Sequence, residues 1–266
     1  MTTIVIYSRK GGSGKTTTAV SLAAALANLE PTMLIDGDPQ GQCTLHFGLP
    51  LRSGVYHWLR RELPIEDCLY HGRPEGLRIL PGDSFTLGAT DAYKGDTPAL
   101  AARLRELPGT YVIIDTGGTG ITMQEAALVA ADQIIIPFRP EIASIDGVYN
   151  SLEVARQLAP DAKLTLLPVA FRRISLHRAN LIEMHQDMPE HPELQEEFAI
   201  LDRYVVPDAC GYGQTIWEYS GGNIVDVRRG YALLAGRVLA LAGANNTHLE
   251  LIERMVSRAK AKQAAN

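Results

Sequence analysis

The sequence has few cysteines, and their spacing argues against several kinds of small-domain architecture. The three cysteines lie far apart with no CxxC pair among them: Cys43, Cys68 and Cys210. A disulfide framework, a zinc ribbon and a linear iron–sulfur motif all need paired or closely spaced cysteines. We therefore expect these thiols to be packing residues.

Long hydrophobic runs are also missing. A membrane-spanning helix needs ~18 or more consecutive apolar residues, and the most apolar late segment, residues 232–244, is interrupted by Arg237. The apolar run at residues 4–7 is too short for a signal peptide. We therefore expect a cytoplasmic protein with no stable membrane association.

Positive charge is not in excess over the whole chain, which has a formal net charge of −5. Any binding to nucleic acid must therefore come from a local basic patch. Hydrophobic residues make up 46% and charged residues 21% of the 266 residues, a balance typical of a soluble globular protein. A chain of this length can bury a substantial core.

Short β-branched apolar runs alternate with Ala- and Leu-rich helical patterns. The predicted strands are 4–7, 32–35, 77–80, 111–114, 133–137, 163–168 and 204–206. The predicted helices are 16–28, 98–107, 122–131, 145–158, 176–188 and 230–242. Continuous apolar strands between helices predict an α/β fold, with a mostly parallel sheet flanked by helices on both faces. We predict one domain over residues 1–266, with a C-terminal helical segment of about residues 221–266 packed on it.

The loop between the first strand and the first helix carries the strongest functional signal. Residues 9–17 read RKGGSGKTT, which fits the phosphate-binding pattern GxxxxGK[ST] with Arg9 in place of the first glycine. Glycines permit positive φ angles and leave room for backbone N–H groups to point at phosphate oxygens. The predicted nucleotide-binding residues are Lys10, Gly11, Gly12, Ser13, Gly14, Lys15, Thr16 and Thr17.

Two further strands end in carboxylates, at the sheet edge where ligands bind in open α/β folds. The second strand leads into Asp36 and Asp38 in the segment DGDPQG, and the run YVIID ends at Asp115. An acid at the end of a buried strand is the arrangement that holds Mg²⁺ beside a phosphate-binding loop. For residues 36–41 taken alone, an exposed Asp-Pro turn is the alternative.

The box KGGxGKTT and the following DxDPQG resemble those of the ParA/MinD family of ATPases with a deviant Walker A motif. Residues 131–141 and 213–219 are similar to later ParA segments, so the resemblance covers nearly the whole chain. It implies a P-loop NTPase of the ParA/MinD type with a twisted sheet, of the small ParA class without an N-terminal helix-turn-helix. It also implies slow, Mg²⁺-dependent ATP hydrolysis by an ATP-sandwich homodimer, in which Lys10 reaches the partner's nucleotide.

The resemblance further assigns roles to single residues. The catalytic residues that it implies are Lys10, Lys15 and Asp38, the last positioning the attacking water. The metal-binding residues that it implies are Thr16, Asp36 and Asp115. Pro207 and Asp208, after the predicted strand 204–206, would contact adenine. The chain departs from the family where TGGTG follows Asp115 instead of a Pro-Pro pair, and we expect these glycines to make the switch more flexible.

Family members in the ATP-bound dimer bind DNA without sequence preference, and an adaptor of the ParB type stimulates their hydrolysis. A nucleoid-associated ATPase that segregates or positions a plasmid, a chromosome or a protein complex is thus implied. The candidate DNA contacts in the basic C-terminal third are Arg228, Arg229, Arg254, Arg258, Lys260 and Lys262. A solvated basic face is the alternative. Arg172 and Arg173 can face either nucleotide or DNA.

Residues 179–202 contain seven acidic residues and no Lys or Arg. A helix of this composition can receive a basic segment of the adaptor, through Glu193, Glu196 and Glu197, or can be a solvated surface helix.

Three other functions compete with this interpretation. A MinD-like membrane-cycling ATPase would use an apolar face on residues 249–259, a spacing that core packing also explains. An electron-transferring iron protein does not fit the cysteine positions. A small-molecule ligase or kinase with the same loop does not fit the DxDPQG box.

Overall fold

The computed structural model describes residues 1–118 and 120–244, and in this part of the chain seven strands form one sheet. The strands are β1 (Thr2–Ile6), β2 (Thr32–Asp36), β3 (Tyr70–His71), β4 (Leu77–Leu80), β5 (Tyr111–Asp115), β6 (Gln133–Phe138) and β7 (Lys163–Pro168). Their order is β3-β4-β2-β5-β1-β6-β7. Every neighbouring pair is parallel except β3–β4. The predicted α/β fold with a mostly parallel sheet is confirmed.

The helices of the described residues connect and cover these strands. They are α1 (Lys15–Leu26), α2 (Gln42–His46), α3 (Gly54–Leu59), α4 (Ile65–Cys68), α5 (Phe85–Asp91), α6 (Thr97–Arg105), α7 (Ile121–Ala130), α8 (Ile142–Leu158), α9 (Ser175–Asp187), α10 (Val205–Gly211) and α11 (Ile224–Leu241). None of these helices is both long and apolar enough to cross a membrane.

Strand β1 illustrates why helices cover both faces. Ile4 and Ile6 pack into the core that contains α1 and α11, whereas Val5 packs into the core on the other face, with α6, α7 and α8. Successive side chains of a strand point to opposite faces. A strand that is apolar at every position therefore needs cover on both sides.

The predicted strand at residues 204–206 is wrong. Tyr204 is the N-cap of α10, and Val205, Val206 and Pro207 form its first turn. Proline is tolerated there because the N–H that it lacks has no helical partner in any case. A pair of β-branched residues is too short for its periodicity to separate strand from helix. The sheet instead has β3, a two-residue antiparallel edge strand that the sequence pattern did not reveal.

The topology brings the predicted site residues to one edge of the sheet. β2 and β5 are neighbours in a register that pairs Asp36 with Asp115, and β1 ends beside β5 before the glycine-rich loop. Helix α11 begins at Ile224, six residues earlier than predicted, and shares a core with α1. The predicted C-terminal segment beyond residue 244 lies outside the described residues.

Candidate functional site

The loop between β1 and α1 has the backbone conformation that its glycines predict. Gly12 has φ +68°, and Gly14, the N-cap of α1, has φ +89°. These left-handed angles favour glycine. A Cβ on Gly14 would also lie 3.1 Å from Val169 Cγ2. Since a helix start carries unpaired N–H groups and partial positive charge, the loop is suited to binding an anion.

Two cavities meet at this loop. One, of about 470 Å³, is lined by Gly11, Gly12, Ser13, Gly14, Lys15, Thr16, Thr17, Asp38, Gln40, Gln42, Gly117, Gly118 and Arg139. The other, of about 430 Å³, shares Gly12, Gly14, Thr17 and Arg139 with it and extends to residues around α10. Pro207 lines this second cavity, next to Cys210. Asp208 lines neither cavity.

Lys15 lies under the loop, where backbone carbonyls hold its ammonium group. Its Nζ donates to Ser8 O at 3.1 Å and to Lys10 O at 3.2 Å, and the residue is only 6% exposed. Burial lowers the pKa of Lys15, while the nearby carboxylates of Asp115 and Asp38 act in the opposite direction. These carboxylates favour the charged form, so Lys15 offers a fixed positive charge at the floor of the cleft.

Lys10, the other lysine of the motif, points away from the cleft. Its Nζ donates to Ala143 O at 2.8 Å and to Ser144 Oγ at 2.7 Å, in the first turn of α8. The two lysines therefore occupy different environments although only five residues separate them. Lys10 is thus held against the first turn of α8.

Asp115 is completely buried and accepts hydrogen bonds at both carboxylate oxygens. Oδ2 accepts from Thr16 Oγ1 at 2.7 Å and from Cys43 Sγ at 3.2 Å, and Oδ1 accepts from Gly117 N at 3.3 Å. Burial raises the pKa of Asp115, and its three donors and Lys15 act against that rise. The Thr16–Asp115 pair offers the hard oxygen atoms that Mg²⁺ prefers, and thus fits a magnesium site.

Asp36 is also fully buried, but its oxygens are already occupied. Oδ2 accepts from the backbone N and the Oγ1 of Thr44, both at 2.8 Å, and Oδ1 accepts from Asp38 N at 3.4 Å. Burial raises the pKa of Asp36 to about 7, against the effect of these hydrogen bonds. The donors to Asp36 are Thr44 and Asp38, whereas Asp115 accepts from Thr16, which lines the cleft, so Asp115 is the better placed of the two for a magnesium ion.

Asp38 lies at the cleft, 8% exposed, with Oδ1 accepting from Gln40 N at 2.9 Å. Gly117 packs directly against it: φ is +63°, and a Cβ at this position would lie 2.7 Å from Asp38 Cγ. Gly118 is exposed, and a Cβ there would meet nothing within 4 Å. A glycine is thus needed at position 117 for close packing against Asp38 and for the left-handed backbone. This role is additional to the flexibility that the sequence predicts for the switch.

Three residues of this site were not recognised in the sequence. Cys43 and Thr44 donate to the buried carboxylates, and Arg139 borders both cavities. Arg139 follows β6, so the rule that ligands bind at the carboxyl ends of parallel strands could have identified it. Cys43 had no such signal, because nothing in an isolated cysteine indicates which carboxylate its thiol meets.

The predicted DNA-contacting arginines differ in how freely they can act. Arg228 is engaged within the chain: Nε donates to Ile216 O at 2.7 Å, and Nη2 donates to Trp217 O at 3.1 Å and Tyr219 O at 2.7 Å. Burial lowers its pKa. We therefore withdraw Arg228 as a DNA contact, whereas Arg229 is exposed. The remaining candidates, Arg254, Arg258, Lys260 and Lys262, lie outside the described residues.

The acidic segment is not the cation-free helix that its composition suggested. Glu193 is 1% exposed and accepts from Leu166 N at 2.8 Å, with His191 Nδ1 and Arg237 Nη2 both at 2.9 Å. Glu196 pairs with Arg173 and Arg178. The predicted adaptor surface is therefore wrong for Glu193, which is buried, whereas Glu196 is partly exposed and already paired with two arginines of the same chain.

Arg172 and Arg173 are likewise paired within the chain. Arg172 Nε lies 2.6 Å from Asp202 Oδ2, and Arg173 Nε lies 3.0 Å from Glu196 Oε1. Neither of them lines the two cavities at the glycine-rich loop. Both side chains are more than half exposed, so these ion pairs are weak constraints.

Comparison with known proteins identifies relatives of this chain. Residues 1–166 match the family model described as an AAA domain. The chain is 36% identical to the chromosome-partitioning ATPase Soj of Thermus thermophilus over 223 residues, which cover 82% of this chain and 88% of Soj.

Solved structures share the fold. Cyanothece McdA in complex with ATP superimposes with a TM-score of 0.77 at 22% identity, over 92% of this chain and 98% of McdA. The septum site-determining protein MinD of Pyrococcus horikoshii with Mg-ADP has a TM-score of 0.73 at 22% identity, over 91% of this chain and 97% of MinD. With the family match, the similarity to Soj and the two-lysine loop beside a buried Asp115, the chain belongs to the ParA family of P-loop partition ATPases.

Proposed function

We propose that this protein hydrolyses ATP slowly with Mg²⁺, and that ATP closes two copies into a sandwich dimer. The dimer binds DNA without sequence preference and positions a plasmid, a chromosome or a protein complex. An adaptor of the ParB type stimulates hydrolysis, and the protein is cytoplasmic and associated with the nucleoid. The observation that carries the proposal is that the two lysines of the loop lie in different places. Lys15 is buried under the cleft, and Lys10 is held outside it on α8.

In the proposed reaction, a water oxygen forms a bond to the γ-phosphorus as the bond from that phosphorus to the β–γ bridging oxygen breaks. Lys15 stabilises the negative charge that develops on the phosphate oxygens. Asp38 orients the water, since it borders the cleft and Gln40 and Gly117 fix its carboxylate. Thr16 and Asp115 would hold Mg²⁺, which when bound supplies further positive charge to the phosphates.

The position of Lys10 supports the proposed dimerisation. Its bonds to Ala143 and Ser144 are partly exposed, and both acceptors are neutral. A phosphate of the partner's nucleotide would replace these neutral acceptors by a charged one, which makes a stronger hydrogen bond to the ammonium group. In this proposal ATP, with its γ-phosphate, provides the charge that draws Lys10 across, and ADP does not. Lys10→Ala should therefore bind ATP and stay monomeric.

DNA binding is proposed for Arg229 and for the basic residues near the C-terminus. Each phosphate contact that a lysine or arginine makes releases counterions, so affinity should fall steeply as salt is raised. Arg228 is hydrogen-bonded to backbone carbonyls of its own chain. Its replacement should therefore leave the salt dependence of DNA binding unchanged, as long as the variant is folded.

The test combines binding to an arbitrary DNA duplex with sedimentation, in ATP, in ADP and without nucleotide. Lys15→Ala should lose nucleotide binding, dimer and DNA binding together. Lys10→Ala should keep nucleotide binding and lose the other two. Lys163→Ala, at the exposed N-terminal start of β7 on the opposite edge of the sheet, is the matched control and should behave as the native chain.

Two outcomes would redirect the proposal. An ATP-dependent dimer that does not bind DNA but binds anionic vesicles would favour the MinD-like alternative, whose fold this chain shares. Absence of any dimer with ATP would contradict the sandwich itself and leave only nucleotide hydrolysis.

A further inference from the structure

Helix α10 presents an exposed face on which an acid lies between two aromatic residues. Tyr204, Asp208 and Tyr212 are spaced four residues apart, and such residues lie on one side of a helix. Backbone hydrogen bonds join them in turn, from Asp208 N to Tyr204 O at 3.2 Å and from Tyr212 N to Asp208 O at 3.1 Å. Tyr204 and Tyr212 are 67% and 74% exposed, so both ends of this face are open to solvent.

A third tyrosine, from another segment, completes the surface. The ring of Tyr219 stacks on that of Tyr212, with centroids 6.1 Å apart and planes inclined by 20°. Cβ atoms on residues 221 and 222, both glycines, would lie 2.6 Å from the hydroxyl oxygens of Tyr219 and Tyr204, respectively. Burial raises the pKa of Tyr219, and the nearby Asp208 carboxylate acts in the same direction. The Asp208 carboxylate thus has three tyrosines as neighbours.

The arginines next to this surface are already paired with other acids. Arg203 Nη2 lies 2.7 Å from Asp226 Oδ2, and Arg73 Nε lies 3.0 Å from Glu218 Oε1. Within residues 1–118 and 120–244, Asp208 forms no ion pair with a lysine or an arginine. Its negative charge is therefore available to a cation from outside, and the faces of tyrosine rings attract cations as well.

We propose that Tyr204, Asp208, Tyr212 and Tyr219 form a docking surface for a lysine- or arginine-rich segment of a partner protein. The carboxylate supplies the opposite charge, and the rings supply cation–π contacts to the side chains of that segment. Small-molecule sites bury about 70–90% of their ligand, and these exposed rings cannot enclose one in that way. A side chain carried by a larger partner needs no such enclosure. DNA does not fit this surface, because Asp208 would repel its phosphates.

Helix α10 connects this surface to the nucleotide cleft. Tyr204 also lines the second cavity, together with Pro207 and Cys210 of this helix. A partner segment that contacts Tyr204 therefore touches a residue that borders the nucleotide in the proposed function. The two ligands should then alter each other's affinity by the same factor, about 5-fold or more. This coupling rests on the proposed function, whereas binding of the basic segment does not.

The test measures binding of a fluorescein-labelled hexa-arginine peptide to the full, nucleotide-free chain by fluorescence anisotropy at physiological ionic strength. The native chain should bind this peptide and should not bind a labelled hexaglutamine peptide. Tyr212→Leu should weaken binding about 2–30-fold, which is the value of one cation–π contact. Tyr212→Phe keeps the ring and should bind as the native chain does. Asp208→Asn removes the charge at nearly constant shape and should weaken binding about 2–5-fold.

Tyr149 and Asp187 supply the matched controls, since Tyr149 Oη donates to Asp187 Oδ2 at 3.2 Å on helices α8 and α9. Tyr149→Leu and Asp187→Asn should leave the peptide affinity unchanged. Equal losses in these controls would show that the peptide responds to net charge alone, and would overturn the surface. So would full binding by Tyr212→Leu, an equal loss in Tyr212→Phe, or a native chain that does not bind the peptide.

The coupling to nucleotide is tested by the same titration with saturating Mg-ADP. Peptide affinity that is unchanged by bound Mg-ADP would overturn the coupling. Failure of Mg-ADP to bind would speak against the proposed function and leave the peptide result standing.

Discussion

At the scale of single residues, three carboxylates lie at one sheet edge, and each has different donors. Asp115 and Asp36 are 0% exposed and accept hydrogen bonds from Thr16, Cys43 and Thr44, whereas Asp38 is 8% exposed and borders the cleft. Environment separates the roles of neighbouring carboxylates. Asp38 is therefore the one suited to a water molecule, and Asp115, which accepts from Thr16 at the cleft, is the one suited to Mg²⁺.

Gly117 supports Asp38, so Gly117→Ala should slow hydrolysis. An alanine there needs the left-handed φ of +63° and brings its Cβ to 2.7 Å from Asp38 Cγ, which must move. Displacement of a positioning group by about 1 Å costs on the order of 10²-fold. We expect kcat to fall about 10–100-fold in a phosphate-release assay, with ATP affinity retained.

Gly118→Ala is the matched control for this prediction. A Cβ at Gly118 meets nothing within 4 Å, so the variant should hydrolyse ATP at the native rate. Equal losses in both variants would mean that flexibility of the glycine pair, rather than packing against Asp38, sets the rate.

His46, the last residue of α2, should make stability depend on pH. It is 3% exposed, and burial lowers its pKa from 6.5 to about 4. Between these two values the unfolded chain binds more protons than the folded chain. The contribution of the uncharged, buried His46 to the free energy of unfolding is therefore present above pH 6.5 and is lost as the pH falls toward 4. From pH 7 to pH 5 the loss should be about 2 kcal/mol.

Urea unfolding of the native chain and His46→Leu at pH 7 and pH 5 measures this loss. The variant should lose that part of the pH dependence, whereas His71→Leu, at an exposed position of β3, should keep it. The same pH slope in His46→Leu as in the native chain would show that other groups cause it.

At the scale of secondary-structure elements, α11 anchors the segment that precedes it. Arg228, in its second turn, donates to three carbonyls of residues 216–219, and its neighbour Arg229 faces solvent. The local pattern of charge does not distinguish two adjacent arginines. The difference arises because a turn of the chain places its carbonyls beside only one of them.

Replacement of these two arginines by alanine should therefore affect different properties, stability for Arg228 and DNA binding for Arg229. Arg228→Ala leaves three partly buried carbonyls without their arginine donor and should lower the free energy of unfolding by about 1–3 kcal/mol. Arg229→Ala should change it by less than about 0.5 kcal/mol and should weaken DNA binding. Denaturant unfolding and duplex binding of both variants check this. A stable Arg228→Ala variant with weakened DNA binding would restore Arg228 to the DNA-contacting set.

At the scale of the whole molecule, nucleotide binding should stabilise the fold, since the cleft combines residues from several segments. They are the loop between β1 and α1, Asp38 after β2, Gly117 and Gly118 after β5, and residues around α10. At about 100 times the dissociation constant, a ligand adds about 2.7 kcal/mol. For a chain of this size that raises Tm by about 5–10 °C. Thermal unfolding with Mg-ATP should show the rise in the native chain and in Lys163→Ala. It should be absent in Lys15→Ala and smaller after Mg²⁺ is chelated.

By itself the sequence determined the alternation of strands and helices, the glycine-rich loop and the acids that end β2 and β5. These depend on local periodicity and on spacing within one segment, which a single chain displays directly. Only the tertiary structure decided that Tyr204–Val206 opens a helix, that Glu193 is buried against His191 and Arg237, and that Cys43 meets Asp115. Arg237 and Asp115 are distant in the chain from the residues they meet, and Val205 packs in a core with α1 and α11. Such contacts are selected by the free energy of burial, which local propensity does not reveal.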